Sequence, residues 1–264
     1  MALHRITLCL VLLALLFPEG EARAAAVDLE LVLAVDVSGS IDARESALQR
    51  EGYLAAIRSP EFAAAVRGGS LGRVRLAYVE WAGEAAQQII VPWRVIDGAE
   101  TAQAFANELA GRPATRFRRG TSISSALLFS AGLFEGGGTR RVIDISGDGP
   151  NNAGGMVTVA RDAVVAQGIV INGLPMLLSP AQIVPPLNRY FVDCVIGGEG
   201  AFSLPVKSVD DLGEAIRMKL LRELLSRNEL GKVIPAATES PADCLAGEKE
   251  RAKRTDRYYP ELDK

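Results

Sequence analysis

The sequence predicts an α/β protein built on a doubly wound, mainly parallel sheet, with one antiparallel edge strand and helices on both faces. Three observations carry this. Short β-branched apolar runs recur at 29–35, 74–79, 88–93, 142–146, 169–174 and 190–196. Most are continuous rather than alternating, as expected of strands buried on both faces. Helical patterns separate most of them, and strands that alternate with helices form a parallel sheet through crossover connections.

Each element has its own local signal. Residues 43–58 carry Leu48, Tyr53, Ile57 and several alanines, a helical pattern. The connection between 79 and 88 is too short for a crossover helix, so the second and third runs form a hairpin. Pro92 in the third run suits an edge strand, because proline cannot donate to a ladder. Residues 101–110 are alanine-rich and stop at Gly111. Residues 122–134 place Ile123, Leu127, Leu128 and Leu133 on one broad face. Residues 155–167 stop at Gly168, a C-terminal cap signal. Residues 208–225 open with Ser208-x-x-Asp211 and then space Leu212, Ile216, Leu220 and Leu224 by four.

The ends differ from this middle. A basic start, an apolar run from Ile6 to Phe17 and a small-x-small site at Ala22–Ala24 read as a secretory signal over 1–24. The run is shorter than the roughly 20 residues a spanning helix needs, so no stable membrane span is expected after cleavage. A periplasmic or secreted location follows. One domain is expected over 25–226. From 227 to 264 apolar periodicity stops and charges of both signs accumulate, which reads as a polar, mobile tail. Export permits a disulfide, and Cys194 and Cys244 allow a single pairing in the mature chain. Two free thiols remain the alternative, since Cys194 lies in an apolar run and Cys244 in the polar tail.

Composition narrows the chemistry. The 264 residues include one histidine, His4, inside the expected signal. The mature chain would then hold no imidazole, which excludes Ser-His-Asp and Cys-His catalysis and histidine-ligated zinc. A formal net charge of −3 offers no electrostatic footprint for nucleic acid. No Gly-x-Gly-x-x-Gly or Walker loop is present, so a nucleotide site has little support.

A different constellation survives. The first run ends in Asp36-Val37-Ser38-Gly39-Ser40, and the fourth ends in Ser146-Gly147-Asp148. In doubly wound sheets ligands sit beyond the carboxyl ends of the strands, where strand order reverses. Gly120-Thr121-Ser122 opens a helix between them in sequence. Asp36, Ser38, Ser40, Thr121 and Asp148 all offer oxygen, the donor that hard divalent cations prefer. Magnesium suits two acids plus neutral hydroxyls, with manganese as the alternative.

With these residues the chain resembles the von Willebrand factor type A (vWA) family. Its metal-ion-dependent adhesion site reads Asp-x-Ser-x-Ser, then a Thr, then an Asp. The match covers about 28–225. Stretches 78–81, 146–152 and 194–198 look like a subgroup of exported bacterial proteins without an established function. The resemblance implies a Rossmann-like vWA fold. It implies that Ser38, Ser40 and Thr121 contact the metal directly, and that one or both aspartates act directly or through water. It also implies a non-enzymatic protein-binding module, whose cation accepts a carboxylate from a protein partner. The second acid lies in Ser-Gly-Asp-Gly, where most of the family reads Thr-Asp-Gly.

Simpler and rival readings stand beside this one. The stretch 38–42 could serve as a turn and N-cap, Thr121 or Ser122 as a cap, and 148–150 as a plain turn. A magnesium-dependent phosphoester hydrolase using Asp36 is a second function, although Ser38 stands where that chemistry usually wants another acid. A structural domain with a vestigial site is a third. Arg112, Arg116, Arg118 and Arg119 would offer bidentate donors to an acidic ligand if their loop borders the site, and otherwise form a solvated loop. Glu80 and Trp81 lie near the same strand ends, and Asp144 reads as a buried structural acid.

Overall fold

A computed structural model describes residues 26–113, 115, 120–135, 140–178, 186–225 and 241–258, with backbone alone for 254–258. The expected signal over 1–24, Arg116, Arg118, Arg119 and residues 227–240 and 259–264 of the expected tail lie outside the described residues. Five strands form one sheet: β1 (Leu29–Asp36), β2 (Val74–Trp81), β3 (Gln87–Ile96), β4 (Arg141–Gly147) and β5 (Val170–Pro175). Their order is β3-β2-β1-β4-β5. β1 pairs in parallel with β2 and β4, β4 in parallel with β5, and β3 antiparallel with β2. The expected hairpin and edge strand are therefore present. At Pro92 the ladder bulges, so Pro92 needs no ladder donor: Leu76 pairs with Arg94 and Tyr78 with Val91.

The helices are α1 (Ala43–Arg58), α2 (Pro60–Arg67), α3 (Ala99–Ala110), α4 (Ile123–Ala131), α5 (Val157–Val165), α6 (Leu187–Tyr190), α7 (Leu212–Leu225) and α8 (Ala246–Tyr258). β1 is buried at every position because both sheet faces are covered. Leu31, Leu33, Tyr78 and Val142 pack on one face with Tyr53, Ile57, Phe105 and Leu220. Val32, Ala34, Ile143 and Trp81 pack on the other with Leu127, Val157 and Phe191. The period-two alternation of a strand divides its residues between these two cores. Among the described residues no helix is long and apolar enough to cross a membrane.

Three local outcomes differ from the sequence reading or settle what it left open. The run 190–196 is not a strand: α6 passes directly into a π-helical turn, Phe191–Val195, closed by Ile196 N–H donating to Phe191 O at 2.9 Å. A continuous apolar run looks the same whether it becomes a buried strand or a buried helical turn. The helix α2 follows α1 with only Ser59 between, and Pro60 at its first position accounts for the break. Within the segment read as a polar tail, α8 is formed, and Cys244 is disulfide-bonded to Cys194 with Cα atoms 5.5 Å apart.

Candidate metal centre at the strand ends

The order β3-β2-β1-β4-β5 places the switch point between β1 and β4. Asp36 is the last residue of β1, and Asp148 directly follows β4. Beyond β1 the chain turns through Ser38 and Ser40 into α1. Asp42 caps that helix, accepting from Arg44 N and Glu45 N, while Glu45 reaches back to Asp42 N at 3.0 Å. The capping box anchors the serine turn, so turn, cap and candidate site coexist.

Asp36 is fully buried. Its Oδ1 accepts Ser38 N–H at 2.7 Å, and its backbone oxygen accepts Gln49 Nε2 at 3.2 Å. Its Oδ2 is buried with no hydrogen-bond partner. A Cβ added at Gly147 would lie 3.3 Å from that oxygen and 3.5 and 3.6 Å from the Phe191 and Trp81 rings. Only glycine fits there without a shift. Ser40 Oγ donates to Asp148 Oδ1 at 2.7 Å, and the Ser38 and Ser40 hydroxyls lie 3.1 Å apart. Four of the five expected residues thus form one linked cluster. Thr121 is held by a reciprocal pair with the turn after Asp148: Thr121 N–H donates to Asn152 Oδ1 and Asn152 N–H to Thr121 O, both at 2.9 Å. Ser122 N–H donates to Ala82 O at 2.7 Å, fixing this loop to the end of β2. Among the described residues no hydrogen bond joins Thr121 to the other four.

The electrostatics are unbalanced. Burial, and secondarily the charge of Asp148, push the Asp36 carboxyl up to about 8, against the opposing pull of Ser38. Burial also raises Asp148, with the Ser40 hydrogen bond pulling down and Glu45 adding repulsion. The two carboxylates raise one another's cost here, and among the described residues no Lys or Arg pulls either down. Desolvated acids of this kind gain most from an added cation. The residues present therefore fit a hard divalent ion: an orphaned buried carboxylate oxygen, a second acid and neighbouring hydroxyls. Among the described residues no trio of His, Cys, Asp or Glu is grouped to hold a metal. The oxygens here come from two acids and from hydroxyls.

The other candidates have contacts of their own. Glu80 is buried and paired with Arg50 at 2.5 Å, and it accepts Thr115 N–H at 2.9 Å. It anchors the loop leading toward Thr121. The Arg112 guanidinium turns to Glu108 at 3.3 Å, and its carbonyl accepts Arg50 Nη1 at 2.6 Å. Trp81 is fully buried core. Asp144 is buried and ion-paired with Lys219 at 2.7 Å. Sequence reasoning read 148–150 as a possible turn and gave Asn151 and Asn152 no role of their own. Asn151 is completely buried, accepts Ser124 N–H near the start of α4 and donates to Gly155 O.

The sheet order, with helices on both faces, is a vWA-like fold. Solved structures agree on the fold. The pilus adhesin SpaC of Lactobacillus rhamnosus GG superposes with a TM-score of 0.55 at 13% identity, over 75% of this chain and 30% of that one. Proximal thread matrix protein 1 of the mussel byssus, in a form described as having a zinc-occupied MIDAS motif, gives 0.56 at 16%, over 76% and 48%. A von Willebrand factor type A protein from Catenulispora acidiphila gives 0.52 at 12%, over 76% and 43%. The chain thus spans less than half the length of each of these proteins. The chain belongs to the DUF1194 family, described as a protein of unknown function, whose profile matches residues 26–228. A search of curated proteins returns no match.

Proposed function

We propose that the chain is an exported, metal-dependent binding module rather than an enzyme. Asp36, Ser38, Ser40, Thr121 and Asp148 hold a divalent cation, magnesium or alternatively manganese. The observation that carries this is the buried Asp36 Oδ2, which has no hydrogen-bond partner among the described residues. When bound, the ion supplies a Lewis-acidic position open to a carboxylate from a protein partner. The chain's own part is to hold two acids and three hydroxyls on anchored turns. A byssus protein of the same fold, described with zinc at its MIDAS motif, supports the reading. We take 25–226 as the binding domain and 1–24 as the cleaved signal.

Calorimetric titration of magnesium and manganese into the protein tests this. The wild type should bind, and Asp36→Ala combined with Ser38→Ala should not. Equal affinity in both proteins rejects the reading.

A further inference from the structure

The segment after residue 240 lies beyond the residues that the family profile matches, yet it touches the candidate site's framework. Its contacts converge on one turn. Glu248 Oε1 accepts from Asn151 Nδ2 at 2.7 Å, and Arg251 Nη1 donates to Asn152 O at 2.9 Å. Tyr190 OH accepts Asn151 N–H at 3.2 Å and donates to Cys244 O at 3.4 Å, bridging turn and segment. Ala242 N–H donates to Asp193 Oδ2 at 2.8 Å, next to the disulfide. Gly247 presses its backbone on the turn: a Cβ there would sit 2.1 Å from Asn151 O and 3.1 Å from Pro150 Cγ. No side chain fits at that approach.

The turn in question, 149–152, joins Asp148 to Asn152, the residue that fixes Thr121 from both its N–H and its carbonyl. We propose that residues 241–251 are a strap that positions the cation-binding loop. Glu248 and Arg251 are its positioning residues, Gly247 its seat, and the Cys194–Cys244 disulfide its tether. The proposal rests on the cation reading above and names a further part of that same site. The tether matters because α8 carries charges of both signs, and the backbone contact at Gly247 is small. A covalent bond three residues before Gly247 keeps the helix at high local concentration over the turn. Groups that orient metal ligands from behind typically change affinity 10–100-fold when removed.

The test uses the full oxidised chain with manganese as the probe, and amide exchange of Asn151 and Asn152 as a second readout. Four variants are compared: Cys194→Ser with Cys244→Ser, Gly247→Ala, Glu248→Ala and Glu248→Gln. Gly247→Ala is the sharpest, since alanine favours the helix itself while blocking its seat. The first three should weaken manganese binding by about tenfold and speed exchange of the two amides, leaving β1 and β4 protected. Glu248→Gln keeps an acceptor for Asn151 and should behave as wild type. Unchanged exchange in the disulfide and Gly247 variants overturns the strap. Faster exchange with unchanged manganese affinity overturns it equally. If the wild type itself takes up no manganese, the cation reading falls, and the exchange of the two amides alone decides whether the strap holds the loop.

Discussion

Two aspartates on neighbouring strands, Asp36 on β1 and Asp144 on β4, are both almost completely buried, yet their surroundings are opposite. Asp144 faces α7, where Lys219 lies 2.7 Å away and also contacts Glu223 at 3.0 Å. Asn172 donates to both Glu223 oxygens, at 2.9 and 2.8 Å, and the Lys219 ammonium lies 4.8 Å from the Phe202 ring centre. Neither Asp144 oxygen has a donor in hydrogen-bonding geometry, so the contact works as an ion pair. Asp36 faces another acid. Burial dominates for both, and the carboxyls rise to about 6 for Asp144 and about 8 for Asp36. Lys219 pulls the first down, whereas Asp148 pushes the second up. The contrast teaches that, among the described residues, one buried acid has a cation beside it and the other has a second acid.

The largest expected effect is at the completed site. Lys219→Ala strands two buried acids and should cost about 3–5 kcal/mol, read by chemical denaturation. A loss under about 1 kcal/mol would break the comparison, because Asp144 would then need its cation no more than Asp36 does. Next comes the cation itself. Magnesium at a hundredfold excess over its dissociation constant should stabilise the wild type by about 2.7 kcal/mol and leave Asp36→Ala unchanged, measured by thermal unfolding with chelator as reference.

A difference in sign sharpens the comparison further. Without metal, Asp36→Asn removes a desolvated acid and should stabilise by about 1–2 kcal/mol. Asp144→Asn takes from Lys219 its ion-pair partner at 2.7 Å and should destabilise. The same sign in both variants would refute the contrast. The smallest effect is in pH. A carboxyl raised from 3.8 to about 8 in the folded state binds a proton there that the unfolded chain has lost. Stability of the metal-free protein should therefore fall as pH rises from about 4 to about 8 and then level off. Metal binding releases that proton, so magnesium affinity should rise over the same window. A metal-free melting temperature that climbs between pH 5 and 8 would contradict the assignment.

Much of this was legible in the chain. Five apolar runs became β1 to β5 with ends shifted by at most a few residues, and α1 spans the expected 43–58. The hairpin followed from a connection too short to cross the sheet, a purely local argument. Asp36 and Asp148 were recognisable because strand ends can be located from pattern, and a fold of this kind gathers strand ends together. The run 190–196 was illegible, since hydrophobicity alone does not separate strand from buried helical turn. Asn151 and Asn152 were illegible too: an Asn pair after Gly-Pro carries turn chemistry whether or not it also holds a neighbouring loop.

The sequence by itself determined the alternation of elements, the oxygen-donor inventory and the absence of any imidazole after residue 4. Periodicity and composition are local properties, and local properties survive in a one-dimensional reading. Only the tertiary structure decided that Lys219 goes to Asp144 rather than to Asp36, that Asp36 Oδ2 has no hydrogen-bond partner among the described residues, and that Cys244 returns to Cys194. Those outcomes depend on which helix packs over which strand. Burial turns that choice into energy, because a charge out of water needs a partner, and among the described residues Asp144 has a cation beside it where Asp36 has another acid.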